Sequence, residues 1–153
     1  MKVERITFKD LDGRTESQSR AVLIEGLGIE GDLKANGGDR QISLLPLWVR
    51  ERIEQGKVEG LCISRFRENI TWSGEGELVK GDKYKIGEVL LEISKLSKKC
   101  FGECHNIVKN TPCPLIFTVS YAIILRGGVI RINDEIEPLQ SWQQFLNDSN
   151  NKN

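Results

Sequence analysis

Residues 80–96 read KGDKYKIGEVLLEISKL. Gly81-Asp82 is a turn signal, residues 83–86 form a short strand, and Gly87-Glu88 is a second turn. Val89, Leu91 and Ile93 then share one face of a longer strand, because side chains alternate along extended backbone. The stretch predicts two strands separated by a tight turn.

The same pattern continues downstream. Leu115, Phe117, Val119, Tyr121, Ile123 and Leu125 alternate and predict one long buried strand over 114–125. Gly127-Gly128 turns it into a strand at 129–132, and Asn133-Asp134 marks another turn. Ser141 is an N-cap for a final short helix at 142–146, ahead of a polar tail at 147–153. Upstream, residues 2–8 (KVERITF) alternate as a strand, with Val3 inward and Ile6 and Phe8 as further inward positions. Residues 10–20 are polar around an Asp12-Gly13 turn, and 21–25 form a short strand. Residues 26–38 carry five glycines in thirteen positions, too many for a helix or a regular strand, so they form a structured loop. Residues 41–45 (QISLL) return to strand. Pro46 opens a helix over 47–55 that Gly56 ends, since a first-turn proline lacks only an N–H that would go unpaired anyway. One more helical turn is predicted at 64–68, extended chain at 69–72, and a polar loop or short helix at 100–110. Short strands, glycine-rich turns and few helices predict a mostly β fold, a closed or nearly closed β-barrel with a few short helices. It is expected to form one domain over 1–146.

Bulk properties narrow the function. The 153 residues carry 22 Lys plus Arg and 22 Asp plus Glu, so no global field recruits nucleic acid or anionic lipid. A local basic patch can still take up a small anion. No apolar run approaches the ~20 residues a bilayer span needs. Met1 leads into a charged, strand-like stretch without an apolar leader segment, so the sequence predicts a cytoplasmic protein whose cysteines stay reduced. His105 is the one histidine, which excludes any site needing two His ligands.

Three of the four cysteines, Cys100, Cys104 and Cys113, fall within fourteen residues. Cys100 follows Lys98 and Lys99, and nearby ammonium groups favour the nucleophilic thiolate. The alternative is a buried cysteine acting as a small hydrophobe. Cys100, Cys104 and Cys113, with His105, offer a second option: thiolate and imidazole ligands for zinc, at a spacing that matches no standard ribbon or finger. As a third option, Cys104 or Cys113 resolves a persulfide or disulfide formed at Cys100. The glycine loop, with Gly31 and Asp32, can present backbone N–H groups to an anion, or Asp32 can simply cap backbone donors. Lys34 and Arg40 would add charge, Arg40 as a bidentate donor. Glu68 and Asn69 fix a ligand edge or orient Arg40, or else form a surface turn. Arg50, Glu51, Arg52 and Glu54 read as the solvated face of the first helix.

Several segments line up, in order, with one family. Gly28-Ile29-Glu30-Gly31-Asp32 resembles its Gly-x-x-Gly-Asp loop, and Arg40-Gln41-Ile42-Ser43-Leu44-Leu45 its Arg-Gln-Val-Ser-Leu-Leu strand. Arg67-Glu68-Asn69-Ile70-Thr71 is similar to its Glu-Asn-Ile/Leu-Thr segment. Gly81-Asp82 and Ile86-Gly87 match its turns, and Lys98-Lys99-Cys100 falls where it places a signature cysteine. The chain thus resembles the MOSC domain, the C-terminal module of molybdenum-cofactor sulfurases, in its small stand-alone bacterial form. The resemblance implies a β-barrel that binds the molybdenum cofactor (molybdopterin), or that carries sulfur on Cys100 with sulfurtransferase-like activity. By that resemblance Gly31, Asp32, Lys34, Arg40, Glu68, Asn69 and Lys98 would bind a small anionic cofactor, in exchange with a sulfur donor or a molybdoenzyme. Delivery of cofactor or molybdate without catalysis is the other function it implies. The chain departs from the pattern at three places. Lys34 stands near a usual His, Phe101 follows the cysteine where His is frequent, and residues 115–119 are apolar where a Met-Pro-Arg/Lys-Glu-Gly stretch is usual.

Overall fold

The structure is a computed structural model that describes residues 1–139. The predicted helix at 142–146, its cap Ser141 and the tail at 147–153 lie outside the described residues. The strands are β1 (Lys2–Lys9), β2 (Thr15–Gln18), β3 (Arg20–Ile24), β4 (Gly28–Ile29), β5 (Ile42–Pro46), β6 (Ile70–Ser73), β7 (Lys83–Ile86), β8 (Val89–Leu96), β9 (Ser120–Arg126), β10 (Gly128–Arg131) and β11 (Ile136–Pro138). The helices are α1 (Leu47–Glu54), α2 (His105–Val108) and α3 (Pro114–Thr118). None of these is long and apolar enough to cross a membrane.

Eight strands form a curled half-barrel in the order β11-β7-β8-β9-β5-β6-β1-β2. The β7–β8 pair is the one read from 80–96, with Ile86 opposite Val89 across the turn. β5 and β6 run parallel, which requires a crossover, and α1 supplies it. The ends of the curl meet. Val3 donates its N–H to the Asp134 carbonyl at 2.9 Å, Asn133 to that of Val3 at 2.8 Å, and Ile136 to that of Met1 at 2.7 Å. A second sheet, β10-β3-β4, packs on the curl. Its Ala21, Leu23, Ile29 and Ile130 join Ile6, Ile42, Ile70, Leu91, Ile93 and Ile124 in one core. Each such aliphatic side chain contributes about 1.5–3 kcal/mol by leaving water. The result is the nearly closed, mostly β barrel that the strand pattern predicts.

Two glycines are required by close approach. A Cβ on Gly127 would stand 2.6 Å from the Leu23 carbonyl oxygen, and one on Gly28 would meet Ala35 Cβ at 3.0 Å. The first lets the turn into β10 lie against β3, and the second folds the glycine loop onto the barrel.

The structure corrects four local readings. Residues 114–125 are not one strand: α3 comes first, and β9 begins at Ser120. Pro114 sits in the first turn of α3, Thr118 Oγ1 donates to the Pro114 carbonyl at 2.7 Å, and Phe117 is 73% exposed. A short amphipathic turn followed by a strand mimics continuous alternation, because Leu115 and Val119 are buried in both arrangements. The helical turn predicted at 64–68 is instead a non-helical turn over 61–65. β2, β4 and β11 are strands the pattern did not predict; β2 exposes most of its side chains and carries no apolar alternation. Finally, Arg50 does not belong to a solvated face. It is 4% exposed and paired with buried Glu68.

Candidate functional site

A cleft of about 640 Å³ opens between β1, the glycine loop, the start of β5 and the turn before β6. Six cationic side chains line it: Lys9, Lys34, Arg40, Arg65, Arg67 and Lys98. Asp32 is the one carboxylate among its lining residues. A chain of zero formal charge thus concentrates positive charge in one concave place, where field lines focus on an incoming anion.

Asp32 offsets at most one of these six charges, and both its oxygens are engaged with the protein. Its Oδ1 accepts the Lys34 N–H at 3.0 Å and its Oδ2 accepts from Asn69 Nδ2 at 3.2 Å. Asn69 is engaged on every side. Its Oδ1 accepts from Ser43 N at 2.9 Å and Ser43 Oγ at 3.0 Å, while Nδ2 also reaches the Thr7 carbonyl at 3.3 Å. These two residues pin β1, β5, β6 and the glycine loop together, and so hold the cleft open. Arg40, by contrast, is exposed at the cleft, with its guanidinium 4.9 Å from the centroid of the Tyr121 ring. The ring contact restrains the guanidinium while its N–H groups stay available.

Most N–H groups of the glycine loop are engaged within the protein. The N–H groups of Gly26, Leu27, Glu30, Asp32, Leu33, Ala35 and Gly37 donate to backbone carbonyls, and that of Lys34 to Asp32. Gly31 is exposed at φ +79° and does not line the cleft. Glu68 is also unavailable to a ligand. It is 3% exposed, accepts from Arg50 Nε at 3.0 Å and Thr71 Oγ1 at 2.6 Å, and is further bonded by Arg50 Nη2. Of the seven residues expected to bind a cofactor, Asp32, Lys34, Arg40, Asn69 and Lys98 converge on the cleft. Lys9, Arg65, Arg67 and Tyr121 also line it, and the sequence reading does not single them out for it. The basic-aromatic-basic run Arg65-Phe66-Arg67 was the available signal, hidden by reading it as a helical turn.

A larger hollow of about 840 Å³ adjoins the cleft across Thr7, Thr15, Ser64 and Arg67. Its charges compensate one another, Arg5 with Glu54 and Arg50 with Glu68. The cleft is therefore the better anion site.

The four cysteines are free thiols; Cys62 and Cys100 are half-buried and Cys104 and Cys113 are buried. Among the described residues, no three His, Cys, Asp or Glu side chains gather into a group able to hold a metal ion. Cys100, Cys104 and Cys113 thus do not converge as zinc ligands. Backbone N–H groups of Leu61 and Asn106 hold the Cys104 thiol below its ordinary range. Burial pushes the Cys100 thiol up, and the neighbouring Cys113 adds to this; Lys98 opposes them without prevailing. The expected activation of Cys100 by its lysines is thereby corrected: the Lys98 ammonium is hydrogen-bonded to Cys62 Sγ, at 3.2 Å. Cys100 does not line the cleft, and its link to it runs through Lys98. A raised thiol is mostly protonated near neutrality. Alkylation of Cys100 by iodoacetamide, followed by peptide mass spectrometry, should be slow at neutral pH and still climbing where an exposed thiol has levelled off. A plateau at the ordinary thiol pH would contradict the burial argument.

A family model of the MOSC domain matches residues 37–137. The chain belongs to the MOSC domain family. Among solved structures, YuaD from Bacillus subtilis is similar with a TM-score of 0.63 and 19% identity, over 90% of this chain and 94% of that one. YiiM from Escherichia coli gives a TM-score of 0.56 at 21% identity, over 92% of this chain and 71% of that one. YiiM from Geobacillus stearothermophilus gives 0.55 at 19%, over 91% and 75%. These likenesses confirm the fold. No curated protein matches the sequence significantly. The MOSC domain is associated with molybdenum-cofactor proteins. The cationic cleft fits the anionic character of such a group, with Arg40 and Lys34 exposed at its mouth.

Proposed function

We propose that this MOSC domain binds the molybdenum cofactor in the cationic cleft and handles sulfur on Cys100. The observation that carries the binding half is the excess of six cationic side chains over one carboxylate already engaged by Lys34 N–H and Asn69. Arg40, Lys34 and Lys98, with Lys9, Arg65 and Arg67, would hold the anionic end. When bound, the cofactor supplies a redox-active metal end that can accept sulfur. The protein's own groups do the rest. Asn69 and Asp32 keep the cleft in shape, Tyr121 orients Arg40, and the Cys100 thiolate attacks the outer sulfur of a donor persulfide. A new S–S bond forms at Cys100, and the donor leaves as a thiolate. We assign the chemistry to a cytoplasmic setting, where the four thiols stay reduced.

One observation favours a second reading, cofactor or molybdate delivery without sulfur chemistry: Cys100 stands off the cleft wall and burial disfavours its thiolate. One experiment separates the two. Protein purified from cells that make the cofactor should carry oxidisable pterin fluorescence. After incubation with a sulfane-sulfur donor, the peptide bearing Cys100 should be one sulfur atom heavier, and cyanide should release that sulfur as thiocyanate. Pterin without sulfur uptake fits only the delivery reading; neither pterin nor sulfur would overturn the proposal.

A further inference from the structure

Cys62 belongs to none of the sequence motifs, yet the fold sets it beside Lys98 and just ahead of a wall of the cleft. It lies in the hydrogen-bonded turn 61–65, where its carbonyl accepts the Arg65 N–H at 3.1 Å and the Phe66 N–H at 2.8 Å. The following residues, Ser64, Arg65, Phe66 and Arg67, form a wall of the cleft. Its sulfur accepts a hydrogen bond from Lys98 Nζ. That ammonium lies 6.0 Å from the Phe66 ring centroid and 5.7 Å from that of Phe101, between two apolar faces that hold it in place. Reachability separates the thiols further. Cys104 and Cys113 are 3% and 2% exposed, which leaves Cys62 and Cys100 as the accessible pair. Of these two, Cys62 has the cation at hydrogen-bond distance. The ammonium stands where it can stabilise negative charge on a departing Cys62 sulfur, and Cys100 lies near enough to feel the charge of both Cys62 and Lys98.

We propose that Cys62 is the thiol that first receives sulfane sulfur and passes it to Cys100, with Lys98 as the positioning residue. The proposal rests on the sulfur-handling reading above. In the first step the Cys62 thiolate attacks the outer sulfur of an external persulfide; a Cys62 S–S bond forms, the external S–S bond breaks, its carrier departs as thiolate, and the Cys62 persulfide becomes the donor that Cys100 attacks. In the second step Cys100 loses its proton to solvent and its sulfur attacks the outer sulfur of the Cys62 persulfide. The Cys62 S–S bond breaks, and its electron pair leaves on the Cys62 sulfur, facing the Lys98 ammonium. No net oxidant or reductant is consumed.

The test is a rapid-quench time course with a persulfide donor, read by peptide mass spectrometry on folded protein checked by circular dichroism. Sulfur should appear on Cys62 before Cys100, and Cys100→Ser should trap it on Cys62. Cys62→Ser should load Cys100 at least about tenfold more slowly, because the sulfur must then reach Cys100 without the Lys98-facing thiol as its carrier. Lys98→Met should slow the loading of Cys62 comparably, and Lys98→Arg should restore most of the rate, which a merely structural lysine would not require. Loading of Cys100 at the wild-type rate in Cys62→Ser overturns the proposal. If neither thiol takes up sulfur in the wild type, the sulfur-carrier reading falls, and iodoacetamide competition at neutral pH decides the remaining point. Faster, Lys98-dependent alkylation of Cys62 than of Cys100 supports its assignment as the nucleophile, and equal rates overturn it.

Discussion

Arg50→Met is expected to cost about 3–5 kcal/mol of folding stability, measured by equilibrium denaturation. The side chains of Arg50 and Glu68 are 5% and 3% exposed, so the substitution leaves a carboxylate in the interior without its cation. Thr71 Oγ1 donates to Glu68 Oε1 at 2.6 Å, and that single neutral donor cannot replace a guanidinium making contacts to both carboxylate oxygens. Arg50 also donates to the Phe66 carbonyl at 3.1 Å, so it ties α1 to the segment that carries Arg65 and Arg67 into the cleft. Loss of Arg50 should therefore loosen the site as well as the fold. The double variant Arg50→Met, Glu68→Met should recover much of the loss, because removing both charges removes the desolvation cost that the pair offsets. A single-variant loss below about 1 kcal/mol, the range of an exposed pair, would mean that Glu68 finds water or a proton instead, and would contradict the burial seen here.

That pair also shows where sequence reading stops. On the helix, Arg50 stands among Glu51, Arg52 and Glu54, and a run of alternating charge usually faces solvent. Its partner lies eighteen positions away, and nothing local reveals that the crossover brings the two together. Strand positions were legible because alternation is a local consequence of extended backbone. Residues 80–96 resolve as β7 and β8 for that reason. The 114–118 segment failed on the same principle, since one helical turn and a strand both bury Leu115 and Val119. The site divides the same way. Arg40 and Lys34 stood out by charge beside a glycine-rich loop, whereas Arg65, Arg67 and Lys9 reach the cleft only through tertiary packing. Asn69 and Glu68 are neighbours in sequence but have different surroundings: one lines the cleft and the other is sealed beneath α1 by Arg50. Lysine beside Cys100 in sequence suggested an activated thiol there, yet a flexible four-carbon stem carried the ammonium to Cys62.

Arg40→Ala is expected to weaken binding of a pterin phosphate by about ten- to a hundredfold, the worth of a charge-assisted hydrogen bond of roughly 1.5–3 kcal/mol. The residue is exposed two positions ahead of β5, so the fold should survive. Loss of the Tyr121 contact should cost stability by about 0.5–1 kcal/mol, separable from affinity by a thermal melt. Arg40→Lys should restore the charge but only part of the affinity, since an ammonium can neither form the planar fork nor stack flat on the Tyr121 ring. The control is Arg52→Ala, which removes the same charge from the exposed face of α1, away from the lining residues, and should leave affinity unchanged. Titrations at increasing ionic strength should show wild-type affinity falling as the six-cation field is screened, with a shallower fall in Arg40→Ala. If Arg40→Ala and Arg52→Ala bind equally well, the anion does not sit in this cleft, however strongly the family and the charge distribution point to it.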